Sequence, residues 1–171
     1  MRWVQYRDKD RTAKELYAIA FRLREVTGRY NARLIINDRT DIALAVDADG
    51  VHLGQEDLPL SEARKIMGKR IIGISTHNVA EAVEAEKGGA DYIGFGSIFP
   101  TDTKDVGAIQ GVDPIRAIKQ AVGIPVIAIG GIKVDNAGLV LGAGADGVAV
   151  SSGLTTGDLT RNAAAFLALF P

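Results

Sequence analysis

The sequence predicts an α/β fold of about seven βα units, a (β/α)8 barrel that lacks its first strand. Three observations predict it. Apolar runs suited to parallel strands covered on both faces alternate with helical segments along the whole chain. The joint Ala-Asp-(Gly/Tyr)-(Val/Ile) recurs at Ala48–Val51, Ala90–Ile93 and Ala145–Val148, each time where a helix hands over to a strand, so one βα unit is reused. Polar and glycine residues gather at the C-terminal end of nearly every strand, where a (β/α) barrel keeps its active site. A doubly wound open sheet would concentrate them at a single reversal of strand order.

Taken in order, Trp3–Tyr6 is a strand that turns charged at Arg7, Asp8 and Lys9. Thr12, with Glu15 three positions on, makes a capping box for a helix whose apolar face is Leu16, Ile19, Ala20, Leu23 and Val26, with Gly28 as its stop. Arg33–Ile36 is a short strand ending in Asn37-Asp38. A brief helix over Asp41–Val46 leads to the strand Asp49–Leu53, which ends in Gly54-Gln55-Glu56-Asp57. Ser61–Met67 is helical, Arg70–Ile74 is a strand ending in Ser75-Thr76-His77, and Asn78 caps a helix to Lys87. Asp91–Lys104 begins as a strand with Gly94 and Gly96 clearing one face, and ends in Pro100, Thr101, Asp102, Thr103 and Lys104. Helix Val112–Ala121, strand Ile124–Ile129, helix Asp135–Gly142, strand Ala145–Val150 and helix Leu159–Leu169 complete the chain.

The composition is that of one globular domain spanning residues 1–171, with 47% apolar and 24% charged residues. A net charge of -1 with mixed signs points to neither nucleic acid nor membrane. Cysteine is absent, which excludes disulfides, thiolate metal sites and a thiol nucleophile. Two histidines leave little scope for a histidine-built metal centre. With no apolar run near membrane-spanning length and no cationic-then-apolar start, a cytoplasmic enzyme is the expectation, and a homo-oligomer is left open.

Two anion grips stand out. Gly130-Gly131 and Ser151-Ser152 end the last two strands, which become the seventh and eighth if the missing unit is the first. Barrels commonly hold a phosphate there. Gln5, Arg7 and Lys9 alternate along a strand end and so share one side, while Asn37, Asp38 and Asp57 follow the next two strands. Carboxylates beside cations suit Mg²⁺ bridging a polyphosphate; the alternative is that Asp38 and Asp57 are helix N-caps or surface charges, as most such residues are. His52 is expected to pack inside, His77 to sit at a helix start, and Trp3 and Tyr6 to pack. With no nucleophile–base pair, leaving-group chemistry is favoured over a covalent intermediate.

Laid out this way, the chain resembles the thiamine phosphate synthase family of (β/α)8 enzymes. The resemblance spans essentially the whole chain through Gln5–Lys9 (QYRDK), Ile36–Asp38 (IND), Ala48–Leu58 (ADGVHLGQEDL), Gly73–Asn78 (GISTHN), Asp91–Lys104 (DYIGFGSIFPTDTK), Ala128–Ile132 (AIGGI) and Gly144–Ser152 (GADGVAVSS). It implies a transferase in which an aminopyrimidine methyl diphosphate loses pyrophosphate and a thiazole phosphate nitrogen captures the carbocation. It implies that Gln5, Arg7, Lys9, Asn37, Ser75 and Lys104 hold the pyrimidine diphosphate, with Arg7, Lys9, Ser75 and Lys104 catalytic. Asp38 and Asp57 would hold Mg²⁺, and Thr101, Asp102, Thr103, Gly131, Ser151 and Ser152 the thiazole phosphate. The family's first apolar strand, ahead of Gln5, is not in this sequence and is expected upstream of Met1. The loop Asp105–Gln110 carries less glycine than the family pattern. Thiazole tautomerases of the same fold carry a histidine where this chain has Ser97 and lack the acid matching Asp57. A non-catalytic phosphate-ligand binder is the remaining alternative.

Overall fold

The computed structural model describes residues 3–101 and 108–170. Seven strands alternate with helices: β1 Trp3–Tyr6, α1 Ala13–Arg29, β2 Arg33–Asn37, α2 Thr40–Ala45, β3 Gly50–Leu53, α3 Leu60–Met67, β4 Ile71–Thr76, α4 Val79–Lys87, β5 Tyr92–Phe95, α5 Asp113–Ala121, β6 Val126–Ile129, α6 Val134–Gly142, β7 Gly147–Ala149, α7 Ser152–Thr155 and α8 Leu159–Leu167. The chain forms two compact units, Met1–Ile74 with Gly88–Asp91, and Ser75–Lys87 with Tyr92–Pro171.

In the first unit β1 pairs with β2, β2 with β3 and β3 with β4, all parallel. In the second, β5 pairs with β6 and β6 with β7, again parallel. Within each unit the spatial order follows the chain, with no strand-order reversal of the doubly wound kind. Register divides each sheet into two faces. In the first unit Leu34, Ile36, Val51, Leu53 and Ile72 are all nearly inaccessible, and α1 and α2 pack on these strands. The other face carries Gln5 beside Ile35, and the row Asn37–His52–Gly73. In the second unit Ile93, Phe95, Val126 and Ala128 are fully buried, with α4 on β5 and α5 on β6. The opposite face is largely stripped, through Gly94–Ile127–Gly147.

Helix α1 starts as the sequence predicts, with Thr12 and Glu15 in a reciprocal capping box. Gly28 does not stop it. The helix runs to Arg29, and Asn31, at φ 50°, takes the left-handed position that ends it. Strand β4 extends through Ser75 and Thr76, and the short helix α7, read as loop from the sequence, begins at Ser152. Asn78 does cap α4, its Oδ1 accepting the Glu81 N–H at 2.9 Å. No helix among the described residues is long and apolar enough to cross a membrane.

The repeated joint has a structural reason. In each copy the aspartate clamps one residue at the start of a neighbouring strand. Asp49 N–H donates to the Leu34 carbonyl at 2.9 Å, and its Oδ2 accepts the Leu34 N–H at 2.8 Å. Asp91 does the same to Ile72, and Asp146 to Val126. Each carboxylate is also met by a cation, from Arg24, Arg64 and Lys119 respectively. Such exposed ion pairs contribute little; the buried strand N–H is what requires the acceptor. Asp146→Ala should therefore cost about 1–3 kcal/mol, toward the lower end because water reaches the site. Asp146→Asn, which keeps an acceptor oxygen, should cost less. Urea midpoints measure both, and equal midpoints for Asp146→Ala and the parent would refute the clamp.

Candidate active site

The first unit assembles one polar cluster. Strand β1 delivers Gln5 and, by continued alternation, Arg7 and Lys9, all exposed at its C-terminal end, while Val4 and Tyr6 point the other way and are half-buried. Tyr6 packs as expected. Burial raises its pKa first, then the charge of Asp8, and its hydroxyl has no hydrogen-bond partner among the described residues. Strand β2 ends in Asn37, and Asp38 follows at φ 62°, a conformation that aspartate tolerates better than most side chains. That turn is held by Asp38 N–H donating to the His52 carbonyl at 2.8 Å and Arg39 N–H donating to the Asn37 carbonyl at 2.8 Å.

Neither Asp38 nor Asp57 is a helix cap. The capping positions of α2 and α3 are Arg39 and Pro59, without side-chain cap bonds. Instead Asp57 closes its own loop, Oδ2 accepting the Gly54 N–H at 2.6 Å, and lies within hydrogen-bonding reach of Asp38. Asp38 has its pKa raised above the ordinary 3.8, by burial first and then by the hydrogen bond and like charge of Asp57, while Lys9 and Arg7 pull it down. The Lys9 ammonium stands 3.8 Å from Asp38 Oδ2. Lys9, Asn37 and Asp38 line a cleft of about 230 Å³ with Tyr6, Asp8 and Arg11. Two carboxylates within hydrogen-bonding reach of each other, beside cations, suit a hard divalent ion that fills its remaining positions from phosphate and water. No group of three or more acidic or histidine ligands forms among the described residues.

The strand register adds to this face a residue that local spacing did not place there. His52 is buried, as expected of a packed histidine, yet it registers between Asn37 and Gly73 on the face that carries Gln5 and Asn37. Strand pairing was the missing signal: the residue-by-residue register that sets His52 beside Asn37 is not encoded in local spacing.

The second unit builds the other cluster. After β5, the loop continues the ladder with β6: Ile98 N–H donates to the Ile129 carbonyl at 2.9 Å and Phe99 N–H to Gly130 at 3.0 Å. On its far side Gln110 N–H donates to Ser97 at 2.8 Å and Gly111 N–H to Ile98 at 3.2 Å. The segment Ser97–Phe99 is thus held from both flanks, and Ser97 Oγ donates to the Phe99 carbonyl at 2.9 Å. Thr101 leaves this segment half-buried. Gly130 and Gly131 adopt φ 101° and 60° and turn against Ser97 and Phe99. Asn136 braces the turn, Oδ1 accepting from Lys133 N–H at 2.8 Å and Nδ2 donating to the Gly131 carbonyl at 3.1 Å. Ser151 and Ser152 are exposed at the start of α7, and Ser75 is half-buried near the end of β4. Asp102, Thr103 and Lys104 lie outside the described residues.

The thiamine monophosphate synthase family matches residues 1–154. The chain is 60% identical over 151 residues to a thiamine-phosphate synthase of Methanospirillum hungatei JF-1, covering 87% of this chain and 73% of that protein. It is 51% identical over 156 residues to one of Chloroflexus aurantiacus, covering 91% and 72%. The solved structure of thiamine phosphate pyrophosphorylase from Pyrococcus furiosus superposes with TM-score 0.91 at 45% identity, over 98% of this chain and 81% of that one. A 3-hexulose-6-phosphate synthase at 15% identity and TM-score 0.76 shares the fold alone. The seven parallel βα units therefore fall in the (β/α)-barrel class, and the chain belongs to the thiamine monophosphate synthase family of transferases.

Proposed function

We propose that the protein is a thiamine phosphate synthase, joining 4-amino-2-methyl-5-(diphosphooxymethyl)pyrimidine to thiazole phosphate with release of pyrophosphate. The observation that carries this reading is the Asp38–Asp57 carboxylate pair beside Lys9 and Arg7 at the strand ends of the first unit. Asp38 and Asp57 would hold Mg²⁺, which supplies neutralising charge to the diphosphate. Arg7 and Lys9 take further diphosphate oxygens, with Gln5, Asn37, Ser75 and Lys104 as donors around the same substrate. The methylene C–O bond breaks with its electron pair leaving on the diphosphate, and the thiazole nitrogen lone pair forms the C–N bond. No side chain has to act as nucleophile. Gly131, Ser151, Ser152, Thr101, Asp102 and Thr103 hold the thiazole phosphate, so that proximity and charge stabilisation carry the catalysis. The same reading has a single domain over residues 1–171 acting in the cytoplasm on small phosphorylated molecules, without nucleic acid or membrane, and leaves a homo-oligomer open.

Incubating the purified chain with both substrates, with and without Mg²⁺, tests this. Thiamine phosphate and pyrophosphate should form in equal amounts and only with the metal. Binding of both substrates without product would identify a phosphate-ligand binder, and isomerisation of the thiazole alone would identify a tautomerase.

A further inference from the structure

In the run Gln5–Lys9, Asp8 is the one charged residue without a role in the diphosphate grip. The alternation of β1 continues past the strand's end: Gln5, Arg7 and Lys9 are exposed, while Tyr6 and Asp8 are half-buried. The Asp8 carboxylate therefore lies on the side away from Arg7 and Lys9, and there it is doubly held. Its Oδ1 accepts the Asp10 N–H at 3.2 Å, two residues on, and its Oδ2 accepts from Arg11 Nε at 2.8 Å. Arg11 Nη1 also lies 3.7 Å from Glu15 Oε1. Glu15 Oε2 in turn accepts the Thr12 N–H at 3.0 Å and the Thr12 hydroxyl at 2.8 Å. These contacts tie the turn after β1 to the capping box of α1. On the other side of the same turn Lys9 Nζ stands 3.8 Å from Asp38 Oδ2, and Lys9 and Arg7 both act on Asp38 through their charge. All of these residues belong to the first compact unit.

We propose that Asp8 is a positioning residue: its bonds to the Asp10 N–H and to Arg11 latch the turn after β1 onto α1, and so hold Arg7 and Lys9 toward Asp38 to receive the diphosphate. This rests on the synthase reading. As an ion pair open to water, Asp8–Arg11 contributes little to stability. Its consequence is orientation, because any freedom left to the turn that carries Arg7 and Lys9 must be given up when the anion binds. Charge alone would give Asp8 the opposite effect. A carboxylate between two anion-binding cations repels an anion, so removing it would tighten binding. The latch reverses that sign.

The test measures Mg²⁺-dependent binding of inorganic pyrophosphate by calorimetry, with both KM values and the melting temperature. It compares the parent protein with Asp8→Ala, Asp8→Asn, Arg11→Ala and the double variant of Asp8→Ala with Arg11→Ala. Asp8→Ala should weaken pyrophosphate binding about tenfold and raise the KM for the pyrimidine diphosphate by a similar factor. The KM for thiazole phosphate and the melting temperature should stay close to those of the parent. Asp8→Asn, whose amide oxygen can still accept from the Asp10 N–H, should recover part of the loss. The double variant should lose less than the two single losses combined, because both residues act through one contact. Unchanged or tighter pyrophosphate binding in Asp8→Ala, or losses that simply add in the double variant, would overturn the proposal. Weaker binding seen only where the melting temperature also falls would make Asp8 a folding residue and overturn it as well. If the parent binds pyrophosphate but forms no product, the synthase reading fails, and the same titrations still decide the latch. A parent that binds no pyrophosphate with Mg²⁺ overturns the latch whatever its turnover.

Discussion

Asp57→Ala is expected to lower kcat by roughly 10²–10³-fold while the protein stays folded, the loss typical of removing charge stabilisation from a leaving group. The side chain does two things in the structure: it closes the Gly54 loop and lies within hydrogen-bonding reach of Asp38. Asp57→Asn separates them, because an amide oxygen can still accept from Gly54 while no longer sharing a metal. Mg²⁺ is expected to raise the melting temperature of the parent protein, and both variants should lack that rise, a readout independent of turnover. The sign with pH follows from Asp38. Its folded-state pKa lies above the ordinary 3.8, so the folded chain holds that proton more tightly than the unfolded one. Without metal, this contribution favours folding at low pH and is lost as pH rises from 3.8 through the raised value. Mg²⁺ competes with the proton, so the metal-induced stabilisation should grow over the same rise in pH and should vanish in Asp57→Ala. A parent protein whose melting temperature ignores Mg²⁺ at every pH would remove the metal from the reading.

Gly130→Ala should be strongly damaging in the second unit. A Cβ at Gly130 would meet Ser97 Oγ and lie 2.7 Å from Ser97 Cα, and the φ of 101° disfavours any L side chain. Ser97 cannot retreat, because its segment is bonded to Ile129–Gly130 on one side and to Gln110–Gly111 on the other. Strain and overpacking together should cost about 2–4 kcal/mol. Because the turn leads into Gly131, the KM for thiazole phosphate should rise as well. Gly138→Ala is the matched control. It lies inside α6 with open space around it, and alanine there should stabilise by about 0.5–1 kcal/mol. Denaturation midpoints of the pair measure the contrast, and two variants of equal stability would mean the Ser97–Gly130 contact yields more readily than its bonding pattern indicates.

Particular elements show which inferences a sequence permits. The capping box at Thr12 and Glu15, the Asn78 cap, the alternation of Gln5, Arg7 and Lys9 and the three repeated joints are local, so spacing alone revealed them. The motifs of the family were legible for the same reason, and the family, fold class and transferase chemistry followed from their order. The end of α1 was not legible, because Gly28 and Asn31 both suit a helix end and packing selected the later one. Nor was the choice between cap and metal ligand for Asp38 and Asp57, since an aspartate ahead of a helix suits either role. Tertiary structure removed the cap role by giving the capping positions to Arg39 and Pro59, and it brings the two carboxylates within hydrogen-bonding reach. It also decided what the recurring aspartates do, and which face His52 shares. Hydrogen bonds between neighbouring strands fix these matters, and such contacts join residues whose separation along the chain carries no signal.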